Sequence, residues 1–256
     1  SYGVRKETLA RRLLELGCVD AVNLDGGGST QLGGTLPETT EFKILNSPSE
    51  GLRRCANFIF LKKMNPPDGI PYKLLTYPYG EYVLSGSSVG VWVAAIDKSY
   101  GKAEITEPIY YSVESDNTTV GQAVINNDGY ATLYGDGDVY FSAVTGEAYG
   151  STMLHSVSNP DSIVIKNESD GSEVSSLSVS SGQTVYLTAD SVYQNINLTD
   201  SDEAYSWSVS DENLGTISAD GTFIPGNVSG TGTINVSAGS VSASVNLTVS
   251  AGPEQI

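Results

Sequence analysis

The sequence predicts an α+β protein that is mostly β: a short partial α/β segment, then two all-β sandwiches. Three observations carry that expectation. Only one stretch, residues 4–16, places apolar residues at helical spacing. Beyond Pro66, short runs rich in β-branched and aromatic residues alternate with Gly, Asn and Asp turns, the pattern of β-sandwiches. The composition shifts at the same place, because nine of the 13 Lys and Arg precede Pro66. The remainder is Ser/Thr/Gly/Asp-rich.

In the helical stretch, Leu9, Leu13 and Leu16 form a stripe with Ala10 and Leu14 beside it, while Arg5, Lys6, Arg11 and Arg12 fall largely off it as a solvated face. Gly17 suits the C-terminal stop. Residues 19–24 read as a short buried strand ending at Asp25, and the turn Gly26-Gly27-Gly28-Ser29-Thr30 follows. Gln31-Leu32-Gly33-Gly34 is able to start a hairpin. Leu36-Pro37-Glu38-Thr39-Thr40 reads as a loop; it lacks the Gly of a sortase signal. Residues 42–45 and 55–61 read as strands, the second nearly continuous apolar as a buried strand should be.

Asn65-Pro66-Pro67-Asp68-Gly69 is a linker by composition, and a second break falls at Asn159-Pro160-Asp161. The expected domains are therefore residues 1–65, 66–157 and 158–251, with a tail at 252–256. The two later pieces read as diverged repeats. Tyr111-Ser112-Val113, Asp128-Gly129 and residues 140–146 in one correspond to Trp207-Ser208-Val209, Asp220-Gly221 and residues 234–239 in the other. Both Asp-Gly pairs are expected to form two-residue hairpin turns.

The 256-residue chain carries a formal net charge of -17 and a sequence pI near 4.2, which argues against a nucleic-acid partner. No apolar run is long enough to span a bilayer. The chain begins at Ser1, so a processed or partial chain is expected. The cysteines are Cys18 and Cys55; a disulfide in an exported protein and reduced buried thiols both remain open. With one His they make no zinc site. Asp136-Gly137-Asp138 and Asp200-Ser201-Asp202-Glu203 offer oxygens for Ca²⁺ but lack the EF-hand pattern, so exposed acidic turns are the favoured reading and no cofactor is expected. Asn-x-Ser/Thr triplets such as Asn117 and Asn246 matter only in a eukaryotic secretory pathway. His155 reads as structural. The many tyrosines read as strand formers, with a sugar-stacking platform as the alternative.

The run Asn23-Leu24-Asp25-Gly26-Gly27-Gly28-Ser29 resembles the signature of the phosphodiester glycosidase family. The preceding helix, Asn46-Ser47-Pro48-Ser49 and Arg54-Cys55-Ala56-Asn57 extend the likeness across residues 1–63. The resemblance implies the C-terminal part of that family's domain, with its upstream part missing. It also implies hydrolysis of a sugar-1-phosphodiester in an extracellular or cell-surface protein. On that reading Gly26, Gly27, Gly28, Ser29 and Thr30 hold phosphate, with Arg54 as a planar cationic fork. Asp25 is the catalytic carboxylate and Asn57 orients substrate, while the second carboxylate of such chemistry is not identified. The two repeats resemble bacterial Ig-like domains of the Big-2 type. The expected partner is thus a phosphorylated sugar or a cell-surface glycan. The rival reading is a non-catalytic carbohydrate-binding, spacer or adhesin protein.

Overall fold

The structure, a computed structural model, describes residues 5–15, 18–21, 27–35, 42–54, 59, 66–114 and 122–251. The chain divides into two compact units, Ser1–Pro66 and Pro67–Ile256.

The first unit contains the helix Lys6–Glu15 and an antiparallel pair, Gly33–Thr35 with Phe42–Ile44. The Phe42 ring lies over Gly33, where an added Cβ would stand 2.2 Å from it. Along the helix Leu9 (44%) and Leu14 are exposed and Leu13 is half-buried. One expectation fails among the described residues: residues 19–21 are not in a strand, and Val19 is 93% exposed. A buried strand needs sheet neighbours, and residues 19–21 pair with no described strand. Residues 22–26 and 55–58 lie outside the described set; Ile59 is exposed. Among the described residues of this unit no large hydrophobic side chain is buried.

Among its described residues the second unit forms strands, with 3₁₀ turns at Asp202–Ala204 and Glu212–Leu214. The first sandwich packs a seven-stranded sheet against the three-stranded sheet of Ser88–Gly90, Tyr130–Tyr134 and Gln122–Ile125. At the centre of the larger sheet, Gly137–Thr145 and Ala148–Val157 pair along their whole length, from Gly137↔Ser156 to Thr145↔Ala148. Alternation points Val139, Phe141 and Leu154 inward against Val83 and Leu133. Outward go Tyr140, Val144 and Tyr149. The second sandwich sets the sheet of Ser162–Asn167, Val185–Tyr193, Thr222–Pro225 and Gly215–Ile217 against Ser176–Ser180, Val241–Ser250, Gly230–Ala238 and Ser206–Val209. Phe223, Leu187, Ile234 and Leu247 fill its centre.

The repeat shows most plainly in a shared turn. Gly129 N–H donates to Asn126 O (3.1 Å) and Asn126 N–H to Tyr130 O (3.0 Å); Gly221 N–H donates to Ser218 O (3.1 Å) and Ser218 N–H to Thr222 O (3.0 Å). These are three-residue hairpin loops, 127–129 and 219–221, each ending in a left-handed glycine (φ 84° and 80°), not the expected two-residue turns. A two-residue turn of the Asn-Gly kind needs positive φ at both central residues, and Asp128 and Asp220 do not have it. Each glycine also accepts from a neighbouring strand, Val91 N–H at 2.7 Å and Leu187 N–H at 3.1 Å. An added Cβ would stand 2.4 Å from Val91 O and 2.0 Å from Leu187 O, so both positions exclude a side chain.

Residues of both compositional breaks are fastened within the second unit. Asp68 and Gly69 donate their amides to Asp97 Oδ2 (3.1 and 3.2 Å). Asp97 Oδ1 accepts from the Ser99 hydroxyl (2.6 Å) and from the amides of Ser99 (2.8 Å) and Gly101 (2.9 Å). At the second break Asn159 Oδ1 accepts from Ser240 N–H (2.9 Å), and Asp161 Oδ2 from Gln194 N–H (2.7 Å).

The two sandwiches are also joined by strand pairing. Val83 and Thr199 form a parallel bridge: Thr199 N–H donates to Tyr82 O (2.8 Å) and Leu84 N–H to Thr199 O (2.9 Å). Ser88 N–H donates to Ser201 Oγ (3.0 Å) and Ser201 N–H to Ser87 Oγ (3.1 Å). Leu84, fully buried, belongs to the core of the second sandwich although its strand belongs to the first. Behind the joint Tyr205 OH donates to Asp200 Oδ2 (2.6 Å), and burial pushes both groups' pKa values up.

Two outcomes follow from these contacts. The Ser99 hydroxyl, with the amides of Gly101, Gly69 and Ser99, holds the Asp97 carboxyl well below its ordinary value of 3.8. Its contribution is therefore complete above about pH 3.8, where the unfolded carboxyl is ionised, and is lost as pH falls toward the lower folded value. Asp97→Asn should lower Tm at pH 7, and its gap to the wild-type should shrink as melts are repeated below pH 4. In the second case, single-tryptophan variants retaining either Trp92 or Trp207 should report one common unfolding midpoint. Thr199→Pro, which removes the amide bonded to Tyr82, should separate the two midpoints.

Candidate functional site

The Gly-rich turn is the chemical focus of the first unit, and its described part is Gly27–Thr30. Gly27 N–H donates to Thr30 Oγ1 (3.0 Å) and Thr30 N–H to Gly27 O (3.0 Å), which closes the turn on itself. The Gly27 amide is thus engaged within the turn. Gly28 O accepts from Glu50 N–H (2.9 Å). A Cβ on Gly28 would stand 2.5 Å from Glu50 Cγ and 2.8 Å from Ser49 Oγ, so the 46–51 loop packs directly on this glycine.

Asn46 holds the two loops together. Its Nδ2 donates to Thr30 O (2.7 Å) while its Oδ1 accepts from Leu32 N–H (2.8 Å). One amide side chain thereby satisfies an acceptor and a donor of the same backbone stretch, which a carboxylate or an aliphatic side chain cannot do. Leu45 N–H donates to Leu32 O (2.7 Å), continuing the hairpin ladder up to the turn. Gln31 Nε2 donates to Arg53 O (2.9 Å) and ties the Arg53–Arg54 backbone to the same place.

The charges sit at the rim. Arg53 pairs with Glu50 at 2.5 Å, both side chains more than half exposed, so the pair is worth about 0–1 kcal/mol. Arg54 is exposed and next in sequence to the tethered Arg53. Asp25, Gly26 and Asn57 lie outside the described residues, as does Cys55; Cys18 is half-buried. Gly27, Gly28, Ser29 and Thr30 are thus joined to Asn46 and Glu50, and through Gln31 to the chain before Arg54. The sequence reading gave neither Asn46 nor Glu50 a role, although Asn46 opens the Asn-x-Pro-Ser segment it singled out and Glu50 follows that segment directly. Glu50 is a carboxylate beside the turn.

The acidic turns of the second unit are occupied internally. Asp136 Oδ1 accepts from Ser158 N–H (2.6 Å) and Asp138 Oδ1 meets His155 Nδ1 (2.6 Å). The His155 ring stacks on Tyr82 with centroids 4.4 Å apart. Among the described residues no group of three potential ligands is placed to hold a metal, and no helix is long and apolar enough to cross a membrane.

Residues 1–62 match the family model of the phosphodiester glycosidases. No curated protein matches the chain. Among solved structures, domains 1–6 of the surface-layer protein SbsC are 16% identical with a TM-score of 0.28; the match covers 72% of this chain and 27% of that one. Domains 5–6 of the same protein give 17% identity and a TM-score of 0.32, over 72% of this chain and 99% of that one. Invasin, a bacterial integrin-binding protein, gives 15% identity and a TM-score of 0.25, over 71% of this chain and 40% of that one. This chain spans about a quarter of the SbsC six-domain structure (27%), and these similarities assign it no function.

The Asn46 bridge is directly testable. Asn46→Ala should cost about 1–2 kcal/mol of local stability, the net worth of two hydrogen bonds. Hydrogen exchange at the Leu32 amide should speed by about tenfold. Asn46→Asp should keep the contact to Leu32 and lose the one to Thr30.

Proposed function

We propose that residues 1–65 are the C-terminal part of a phosphodiester glycosidase domain that hydrolyses a sugar-1-phosphodiester, carried on an extracellular or cell-surface protein with two Ig-like modules of the Big-2 type. The observation that carries this reading is the Asn46 bridge. The Gly-rich turn and the Asn-x-Pro-Ser segment both belong to the matched region, and they close on one another. The exposure of Leu9, Leu14, Phe42 and Leu52 supports a further proposal, that this segment is completed by additional chain of the same domain.

The chemistry follows from the substrate. Cleavage of the sugar C1–O bond expels a phosphate monoester, a good leaving group that needs little protonation. The site must hold that anion and stabilise positive charge developing at C1. Asp25, at the start of the turn, is assigned to the positive centre. Ser29, Thr30 and the amides of Gly26 and Gly28 are assigned to the phosphate, with Arg54 reaching its outer oxygens. Asn57 orients the sugar. Glu50, whose amide donates to Gly28 O and whose carboxylate pairs with Arg53, is a candidate for the second carboxylate.

A second reading, a non-catalytic surface spacer or binding protein, is favoured by one observation: the joint at Val83 and Thr199 makes the sandwiches a stiff pair. Kinetics separate the two. In the protein carrying the whole domain, Asp25→Asn should lower kcat on an N-acetylglucosamine-1-phosphodiester by about 10²–10⁴ at an unchanged Tm. Arg54→Ala should mainly raise KM, by the 1.5–3 kcal/mol typical of a charge-assisted contact. Turnover that survives Asp25→Asn removes Asp25 from the mechanism.

A further inference from the structure

The joint between the sandwiches is made by particular side chains, and the internal repeat shows which ones. Strand Tyr82–Leu84 of the first sandwich and strand Ser176–Ser180 of the second occupy the same place. Each runs parallel to the last strand of its own sandwich, with Leu84↔Val157 in one and Ser180↔Ser250 in the other as the final registered pair. The chain leaves both strands through the same bonds. Ser85 N–H donates to Val157 O (2.8 Å) and Ser87 N–H to Leu84 O (3.0 Å); Ser181 N–H donates to Ser250 O (3.0 Å) and Gln183 N–H to Ser180 O (3.1 Å). A left-handed glycine stands between the donors in each case, Gly86 (φ 95°) and Gly182 (φ 85°). Tyr82, Val83, Leu84 and Val157 therefore correspond one for one to Ser178, Val179, Ser180 and Ser250.

Of these four positions, the one facing the home core keeps its residue. Val83 and Val179 are each buried in the core of their own sandwich. Alternation turns the other three positions away from that core. In the first sandwich they are apolar or aromatic. Leu84 is fully buried and Val157 is 6% exposed; both belong to the core of the second sandwich, and Tyr82 packs against it. In the second sandwich Ser178, Ser180 and Ser250 are exposed. The glycines differ likewise. A Cβ on Gly86 would stand 3.2 Å from Cα of Ala204 in the second sandwich, whereas one on Gly182 would meet nothing within 4 Å among the described residues.

We propose that Leu84 and Val157, flanked by Tyr82, form a plug that seats the sandwich following them, and that the second sandwich, with serines in all three places, has no plug to hold another sandwich in a set orientation. Motion between adjacent domains is the default unless a sizeable apolar contact prevents it. Leu84 and Val157 provide that contact, because they leave water only while the next sandwich covers them. Ser180 and Ser250 gain nothing from being covered, since each hydroxyl would exchange water for apolar surroundings. The partner that the plug fits is the open end of a like sandwich. There Thr199 takes the strand edge at Val83, and Leu198 and Tyr193 belong to the same apolar cluster as the plug. The device is directional: the connection after Val157 is stiff, and a connection to any sandwich placed after Ser250 is loose. None of these residues belongs to the first unit, so the proposal is independent of the glycosidase reading.

Distances between spin labels read the joint directly. Labels are placed on Ser151→Cys and Ser244→Cys, exposed and at corresponding places in the two sandwiches, in the full chain with Cys18→Ser and Cys55→Ser. This parent should give one narrow distance distribution. Leu84→Ser with Val157→Ser should replace it by a broad one while both sandwiches keep their near-UV circular dichroism. Those substitutions also thin the second core, so a second arm adds the plug instead of removing it. A further copy of residues 158–250 is joined directly after Ser250 of the full chain, with labels at Ser244 and at its counterpart in the copy. That distribution should be broad, and Ser178→Tyr, Ser180→Leu and Ser250→Val together should narrow it. A broad distribution in the parent, or a narrow one in the Leu84→Ser, Val157→Ser variant, overturns the proposal. So does an appended copy that is held without the three substitutions, or one that stays loose with them.

Discussion

The second unit is organised around three consecutive residues, Tyr82, Val83 and Leu84. On one edge their backbone pairs with His155, Ser156 and Val157 of the first sandwich. On the other it exchanges hydrogen bonds with Thr199 of the second. The side chains divide in the same way: Val83 is fully buried in the first core and Leu84 in the second. Moving either sandwich would expose an apolar side chain and leave backbone amides unpaired in a dry place, a cost no flexible connection incurs. Asn159, Asp161 and the Ser87–Ser201 exchange reinforce the arrangement at its periphery.

What was legible in the sequence was mostly local. Helical spacing located Lys6–Glu15, and alternation with turn residues gave the β character of everything beyond Pro66. The repeat was visible because each copy spends a glycine at the same tight place, Gly129 and Gly221. The turn type was misjudged because Asp-Gly is compatible with two geometries, and packing of the glycine on Val91 or Leu187 favours the three-residue loop. The joint was hidden for a different reason. Ser88 and Ser201 are 113 residues apart, and nothing in either serine announces the other. Pro160 read as a break because composition reports flexibility of the isolated chain, not the contacts that remove it.

The candidate site was legible only in part. The Gly-rich turn stood out because three consecutive glycines are costly unless backbone must come close to something. In the described part that something is Glu50 and Ser49, contacts that neighbouring sequence does not reveal.

The edge of the second sandwich has a mechanical consequence. Its last strand, Val241–Ser250, runs parallel to Ser176–Ser180, with pairs from Ser176↔Asn246 to Ser180↔Ser250. A pull on the chain beyond Ser250 acts along the axis of that strand. All its rungs are then strained together in shear, rather than opened one after another as in peeling. The Val83–Thr199 bridge is parallel as well, so tension crosses from one module to the next through pairing of the same sense. Within the second unit both junctions therefore meet tension in shear, the loading that parallel pairing resists best.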